Sequence, residues 1–512
     1  MAELPLLGTQ LPQHSARRGS GSIAIARALV RQGEQAMQRA SDAVLIRGNQ
    51  ARLLVDGPMA FRAWLERIER AERWIHLENY IIRGDRTGRL FRDALAQKAR
   101  EGVRVRVLYD WVGCWATPRR FWRPLRAAGV EVRAFGPPSL HYPLNLMRRD
   151  HRKLIAVDGE YASVAGICIG DEWAGDPGAG IPPWRDTGAE LRGPVAAMLD
   201  RTFARTWAEA GAPLPTDEIP DPEHLPPAGE VGVRVVEGEP GRSRIYRVSQ
   251  LIAVGVTRRL WITDPYFVAP PAMAEALAAA ARDGVDVRVI VPAYNNWPVV
   301  GGMSRAGYRP LLQAGVRLFE WEGPMIHAKT AVADGIWSRV GSSNLNLASL
   351  LTNWELDVTI LGRDFAAEME LLFRRDLASS VEILLHGSRR IWGRRVHDRR
   401  ATDRSESDGT STNVAAAREA RRRARRGTTI GRTLGRMAQA ASVLGRALIG
   451  QRLIGREDVG WVAAFGVVML TLGVLGIWVP RVLAWPAIIL FFWLGIASLF
   501  RALSPYGKDR GG

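Results

Sequence analysis

The sequence predicts an α/β fold built from two tandem repeats, followed by a C-terminal pair of apolar helices. Three observations lead there. The spacing His-x-Lys-x-x-x-x-Asp occurs twice, in "RRDHRKLIAVDG" (Arg148 to Gly159) and in "MIHAKTAVADG" (Met325 to Gly335). "ALAQKAREGVRVRVLYD" (Ala94 to Asp110) is matched by "ALAAAARDGVDVRVIVP" (Ala276 to Pro292), in each case an Ala/Leu helix pattern, a Gly stop and an alternating strand. Near the end of the chain lie two uncharged runs, each of about 20 residues, long enough to cross a hydrocarbon core as helices.

In chain order, residues 1–43 read as a loose N-terminal arm, "MAELPLLGTQLPQHSARRGSGS", and a short amphipathic helix, "IAIARALVRQGEQAMQRA". The arm lacks the apolar core of a signal peptide. Residues 44–225 form the first repeat and 226–388 the second. "HLENYI" aligns with "ITDPYF", pairing Glu78 with Asp264 and Tyr80 with Tyr266, and "AAGVEVRAFGP" resembles "QAGVRLFEWEGP". Each half therefore runs strand, helix, strand, helix, strand and then a motif hairpin, an α/β layer pattern. A pseudo-two-fold axis between such halves sets their motifs face to face.

Each motif reads as a strand entering a turn, because its flanks are apolar and β-branched and Asp-Gly is a hairpin-turn pair. Residues two apart on a strand share a face, so His151 stands beside Lys153 and His327 beside Lys329. An imidazole and an ammonium converging on one point suit a phosphate: the Lys neutralises its oxygens while the His attacks phosphorus or moves a proton. Asp158 and Asp334 fall on the opposite face and are expected to anchor the turns. A lone His-x-Lys is common by chance. Here both copies are followed, after the Asp and six further residues, by a second element, "AGIC" (Ala165 to Cys168) or "GSSN" (Gly341 to Asn344). A protein with two such faces can use one His to attack a phosphodiester and the other to handle the leaving group.

These strings, together with "IGDEW", "WRDTG", "TDPYFV" and "GSSNLNLASLLTNWEL", resemble the phospholipase D superfamily and, within it, bacterial cardiolipin synthases, over roughly Val44 to Leu385. The resemblance implies two phospholipase D-type α/β repeats whose catalytic motifs are His151, Lys153 and Asp158, and His327, Lys329 and Asp334. It implies His151 as a nucleophile forming a phosphohistidine and His327 as the acid/base. Lys153, Lys329, Ser342 and Asn344 would hold the phosphoryl oxygens. Position 168, usually Asn in the family, is Cys here. Asp186 and Glu355, each seven residues before a glycine, would be the carboxylates that orient His151 and His327, with Glu172 as a further companion. Tyr142, Trp173, Trp184, Tyr266 and Trp354 would line an acyl or glycerol site unless they belong to the core. The implied substrates are phospholipids, phosphatidylglycerol first and phosphatidylethanolamine second, with no metal, cofactor or nucleic acid required. A phospholipase D hydrolase and a nuclease remain as alternative readings.

Composition bounds the rest. Cys114 and Cys168 provide neither a disulfide framework nor zinc spacing. The net charge of +18 is concentrated late in the chain, with 18 Arg against 7 acids from Ser388 to Asp458. Residues 389–430 read as a basic flexible linker, and 431–456 as a basic amphipathic helix suited to an anionic bilayer or to nucleic acid. Residues 457–503 decide for the bilayer: Val459 to Val479 and Val482 to Phe500 predict a transmembrane hairpin with Arg481 at its tip, and 504–512 a tail. Arg on both flanks predicts that both ends lie in the cytoplasm, which places the catalytic halves on the inner face of a bacterial cytoplasmic membrane.

Overall fold

The computed structural model describes residues 31–137, 148–242, 244–386 and 389–395. The first part of the N-terminal arm, Tyr142, most of the expected linker, the basic amphipathic helix, the apolar hairpin and the tail lie outside the described residues. Among the described residues no helix is long and apolar enough to cross a membrane.

The first half contributes β1 (Ile46–Val55), β2 (Trp74–Asn79), β3 (Arg104–Asp110), β4 (Glu131–Phe135), β5 (Arg149–Asp150), β6 (Lys153–Val157), β7 (Tyr161–Ala165) and β8 (Thr187–Arg192). The second contributes β9 (Val231–Gly238), β10 (Arg259–Thr263), β11 (Asp286–Pro292), β12 (Arg317–Trp321), β13 (Thr330–Ala333), β14 (Trp337–Gly341), β15 (Asn353–Leu361), β16 (Ser380–His386) and β17 (Arg389–Arg395). In the first sheet the order is β4-β3-β2-β6-β7-β8-β1, parallel between β2, β3 and β4 and antiparallel elsewhere. The second repeats it strand for strand as β12-β11-β10-β13-β14-β15-β9, with the same parallel and antiparallel steps. β1 also pairs with β9, joining the two sheets, and the β16–β17 hairpin extends the second beyond β12. β17 thus occupies the first residues assigned above to the linker.

Parallel neighbours need a crossover, and helices supply it. Arg86–Arg100 connects β2 to β3, capped by Asp85, whose carboxylate accepts from Gly88 N, and with Lys98 and Arg100 in its last turn. Pro271–Arg282 does the same between β10 and β11, with proline at its start. The glycines that stop these helices, Gly102 and Gly284, have φ of +94° and +90°, the left-handed geometry that ends a helix. Helices on one face and the molecule's centre on the other leave β2, β6 and β7 buried at every residue. β6 and β7 are accordingly mostly apolar, whereas β2 buries His76, Glu78 and Asn79 among its apolar residues.

Helices Pro194–Glu209 and Arg363–Ala378, each following the last strand of its half, pack into one central apolar cluster. Phe203, Trp207, Phe365, Met369 and Phe373 meet Val235, Leu356 and Val358 there. Each half also has its own outer cluster, under Asp56–Glu69 and Arg86–Arg100 in the first and under Arg244–Gly255 and Pro271–Arg282 in the second.

Two exchanges of backbone bring the motifs together. β5, just before His151, pairs in parallel with the start of β15, and His151 N donates to Trp354 O at 2.9 Å. Reciprocally, Ile326 bridges in parallel to Arg185, and His327 N donates to Arg185 O at 2.7 Å. Each His-bearing segment is therefore clamped to the other half, just before the residue that carries a carboxylate.

Candidate active site

The two Asp-Gly pairs form the turns expected of them. Asp158 and Gly159 have φ of +55° and +76°, and Asp334 and Gly335 have +51° and +70°. Glu160 N donates to Val157 O and Ile336 N to Ala333 O, closing tight type I′ turns. Neither Asp reaches the histidines. Asp158 accepts from the backbone N–H groups of Glu72, Arg73 and Trp74 at 2.8–2.9 Å. Asp334 accepts from those of Thr257, Arg258 and Arg259 at 2.9 Å. Grouping these two with the catalytic residues is therefore corrected: they splice the motif hairpin to the start of β2 or β10 and do not touch the cleft.

The carboxylates pair crosswise. Glu355, from the second half, accepts from His151 Nδ1 at 2.9 and 3.1 Å. Asp186, from the first half, accepts from His327 Nδ1 at 2.8 Å. The clamps explain the crossing, because each His is seated beside the other half's carboxylate-bearing strand. All four groups are buried. Burial pushes His151 down to about 4, with Lys153 adding to the fall and Glu355 opposing it. Burial and then Lys329 push His327 down to about 3. Burial works the other way on the acids, yet the hydrogen bond from His327 and the charge of Lys329 hold Asp186 below its ordinary value, and the hydrogen bonds from His151 and Ser342 with the charge of Lys153 do the same for Glu355. At neutral pH each pair is a neutral imidazole with its Nδ1–H on a carboxylate, so the Nε2 lone pair faces outward.

The lysines differ. Lys153 donates to His151 O and lies 5.0 Å from the centre of the Tyr80 ring. Lys329 donates to His327 O and sits 3.0 Å from each ring nitrogen of His327. Burial lowers Lys329 to about 8, leaving it mostly charged at neutral pH. Tyr80 meets His151 edge-on at 4.8 Å and Tyr266 meets His327 at 5.9 Å. The repeat aligns Tyr80 with Tyr266, but nothing else in the sequence marks Tyr80 as part of the site.

The remaining expected residues divide. Ser342 donates to Glu355 Oε2 at 2.5 Å and accepts from Leu356 N at 2.9 Å. It thereby braces Glu355, a task shared with Asn353 Nδ2 at 3.0 Å. Asn344 is buried, with no hydrogen bond to its Oδ1 among the described residues. Cys168 is buried at the equivalent place in the first half, where burial raises its thiol above the ordinary value. Glu172 pairs with Arg83 at 3.1 Å rather than with a histidine. Trp173 donates to Asp186 at 3.0 Å, and both it and Trp184 lie against His327, at 5.6 and 5.8 Å. Trp354 belongs to the core, packed on Phe135 at 5.9 Å. Among the described residues no group of three or more His, Cys, Asp and Glu is placed to hold a metal ion.

The sequence model of a family described as "Cardiolipin synthase, PLD-like domain" matches residues 64–170 and 254–377, one segment in each half. The chain is 34% identical to a cardiolipin synthase A of Pseudomonas putida over 68% of its own length and 73% of that protein. It is 34% identical to a cardiolipin synthase of a Geobacillus strain over 65% of its length and 67% of the other. Among solved structures, phosphatidylserine synthase of Haemophilus influenzae superimposes with a TM-score of 0.55 at 14% identity, covering 68% of this chain and 91% of that one, a likeness of fold. The chain belongs to the cardiolipin synthase family of phospholipase D-like enzymes.

Proposed function

We propose that the protein is a cardiolipin synthase that joins two phosphatidylglycerols into cardiolipin and glycerol through a phosphohistidine on His151. The observation that carries the reading is the pair of crossed His–carboxylate contacts, His151–Glu355 and His327–Asp186, each with a buried lysine alongside. The two pairs are not equivalent. Lys329 lies within hydrogen-bond distance of His327 Nε2, whereas His151 Nε2 has no such neighbour among the described residues. That favours His151 as the attacking nitrogen and the His327–Lys329 pair as the proton carrier.

His151 Nε2 attacks phosphorus and the bond to the glycerol oxygen breaks. A proton from the His327 side neutralises the departing alkoxide. The same group then takes the proton of the second phosphatidylglycerol hydroxyl, which attacks the phosphohistidine and frees His151. Lys153 and Lys329 balance the charge on the phosphoryl oxygens, and Asn344 donates to them. Both imidazoles are held neutral at neutral pH by burial. An entering phosphate anion offsets the lysine charge and makes protonation of His327 easier. We assign the two apolar runs at residues 457–503 to a hairpin anchor in the bacterial inner membrane, with the catalytic halves on the cytoplasmic side; the length and lack of charge of those runs support it.

The test is a lipid-product assay with full-length protein and labelled phosphatidylglycerol, alongside rapid quenching to trap a phosphoenzyme. Cardiolipin and glycerol are expected, with both products and adduct lost in His151→Ala. His327→Ala should form the adduct slowly and fail to resolve it. Phosphatidic acid as the main product would replace the synthase reading with a hydrolase, and an adduct that survives His151→Ala would reverse the roles.

A further inference from the structure

Four large aromatics stand exposed on two loops that correspond to each other in the repeat. Trp111 and Trp115 follow β3 and are 37% and 76% exposed; Tyr294 and Trp297 follow β11 and are 46% and 64% exposed. Exposed rings of this size, paired between halves, are not accounted for by folding.

Both loops are fastened to the tyrosines beside the histidines. In the first, Ile82 N donates to Cys114 Sγ at 3.2 Å, and a Cβ on Gly113 would fall 2.0 Å from Tyr80 O, so the loop lies directly on the backbone of Tyr80. In the second, Tyr266 Oη donates to Asn296 Oδ1 at 2.8 Å and Asn295 Nδ2 donates to Pro265 O at 2.8 Å. The loops therefore flank the cleft, one from each half, with their polar groups spent inward and their aromatics outward.

The chain beyond each loop has one sign of charge. Trp111 to Val130 contains Arg119, Arg120, Arg123 and Arg126 and no acid, and Ala293 to Val316 contains Arg305 and Arg309 and no acid. The four arginines of the first segment and Arg309 are exposed. Tryptophan and tyrosine backed by arginine match the headgroup layer of an anionic bilayer, where an amphipathic ring sits at the boundary and a guanidinium meets phosphate.

We infer that the two loops form a bilayer-docking rim, seating the cleft mouth on an anionic lipid surface with Trp115 and Trp297 inserted at headgroup depth. The inference rests on the reading of the substrate as a membrane phospholipid. It concerns the catalytic halves themselves and is separate from any C-terminal anchor.

The test uses full-length protein carrying Trp115→Cys, Trp297→Cys or Val254→Cys, each labelled with an environment-sensitive fluorophore; Cys114 and Cys168 are buried, and unlabelled-background controls use the parent chain. Val254 is 77% exposed on the helix leading into the start of β10, at the strand end away from the cleft. With vesicles of phosphatidylglycerol and phosphatidylcholine, a blue shift is expected at positions 115 and 297 and none at 254. With phosphatidylcholine alone the shift should be weak. The Trp115→Ala/Trp297→Ala double variant should lose at least about tenfold in turnover of vesicle phosphatidylglycerol while keeping turnover of a monomeric short-chain phosphatidylglycerol. No shift at 115 and 297, an equal shift at 254, an equal shift without anionic lipid, or a concentration-dependent shift without vesicles would each overturn the rim, the last in favour of a second copy of the chain. A shift at 115 and 297 in a protein that turns over no phospholipid would leave the rim standing and sink the proposed reaction instead.

Discussion

The two halves share a strand order but brace their carboxylates differently. In the second half Glu355 is held by Ser342 and Asn353. In the first, the shorter Asp186 is held by Trp173 and by Thr187 N at 2.8 Å. The position matching Ser342 is Gly166, and a Cβ there would lie 2.3 Å from Asp186 Oδ1. Next to it, Ala165 pairs with Gly188, where the second half pairs Gly341 with Asp357. The motif flanks diverge as well: Asp150 and Arg152 surround His151, whereas Ile326 and Ala328 surround His327, all four buried. Arg152 reaches Thr206 at 2.6 Å and Glu237 at 3.3 Å, and burial pushes nearby Glu78 up to about 7. A duplicated scaffold has thus kept the geometry at each His while its surroundings were rebuilt, which gives two chemically distinct histidines in one cleft.

The comparison is tested most severely at the carboxylates. Glu355→Gln and Asp186→Asn keep the shape but remove the acceptor that fixes each imidazole, and each should lower kcat by about a thousandfold or more. Glu355→Gln should chiefly slow formation of the covalent adduct, and Asp186→Asn both its formation and its resolution, as single-turnover kinetics would read. The same profile in both variants would erase the distinction between the halves.

A smaller effect separates the two braces. Ser342→Ala should cost about tenfold in activity with little loss of stability, because Asn353 still holds Glu355. The opposite exchange, Gly166→Ser, has no room, and should both displace Asp186 and lower Tm. Tolerance of Gly166→Ser with wild-type kinetics would show that the halves are interchangeable after all.

The turn residues are where the halves should agree. Asp158→Ala and Asp334→Ala each remove the acceptor for three backbone N–H groups and leave alanine at positive φ, for a loss of about 1–3 kcal/mol in urea unfolding. Activity per folded molecule should hold. A fall in kcat at constant stability would return these residues to the cleft.

The halves should also agree in their pH dependence. Both histidines are depressed from 6.5, to about 4 and about 3. Above pH 6.5 they are neutral in folded and unfolded chains alike. Below it the unfolded chain takes up protons that the folded one refuses, so stability falls as pH drops from 6.5 toward 4. His151→Gln/His327→Gln should flatten the Tm profile over that window, and an unchanged slope would mean the imidazoles are not held neutral.

What the sequence determined by itself was everything local or repeated. Period-two strands, glycine-stopped helices, the Asp-Gly turns and the duplicated His-x-Lys faces follow from side-chain alternation and backbone sterics over a few residues, and a repeat makes each reading count twice. The alignment also brought Tyr80 and Tyr266 to equivalent places. Only the tertiary structure decided which carboxylate serves which histidine, because that depends on β5 crossing to β15 and Ile326 crossing to Arg185, contacts between residues far apart in the chain. It likewise decided that Ser342 spends its proton on Glu355 and that Glu172 turns to Arg83. A hydroxyl or a carboxylate has several chemically equal partners, and the choice among them is made by distance alone, which a linear pattern does not contain.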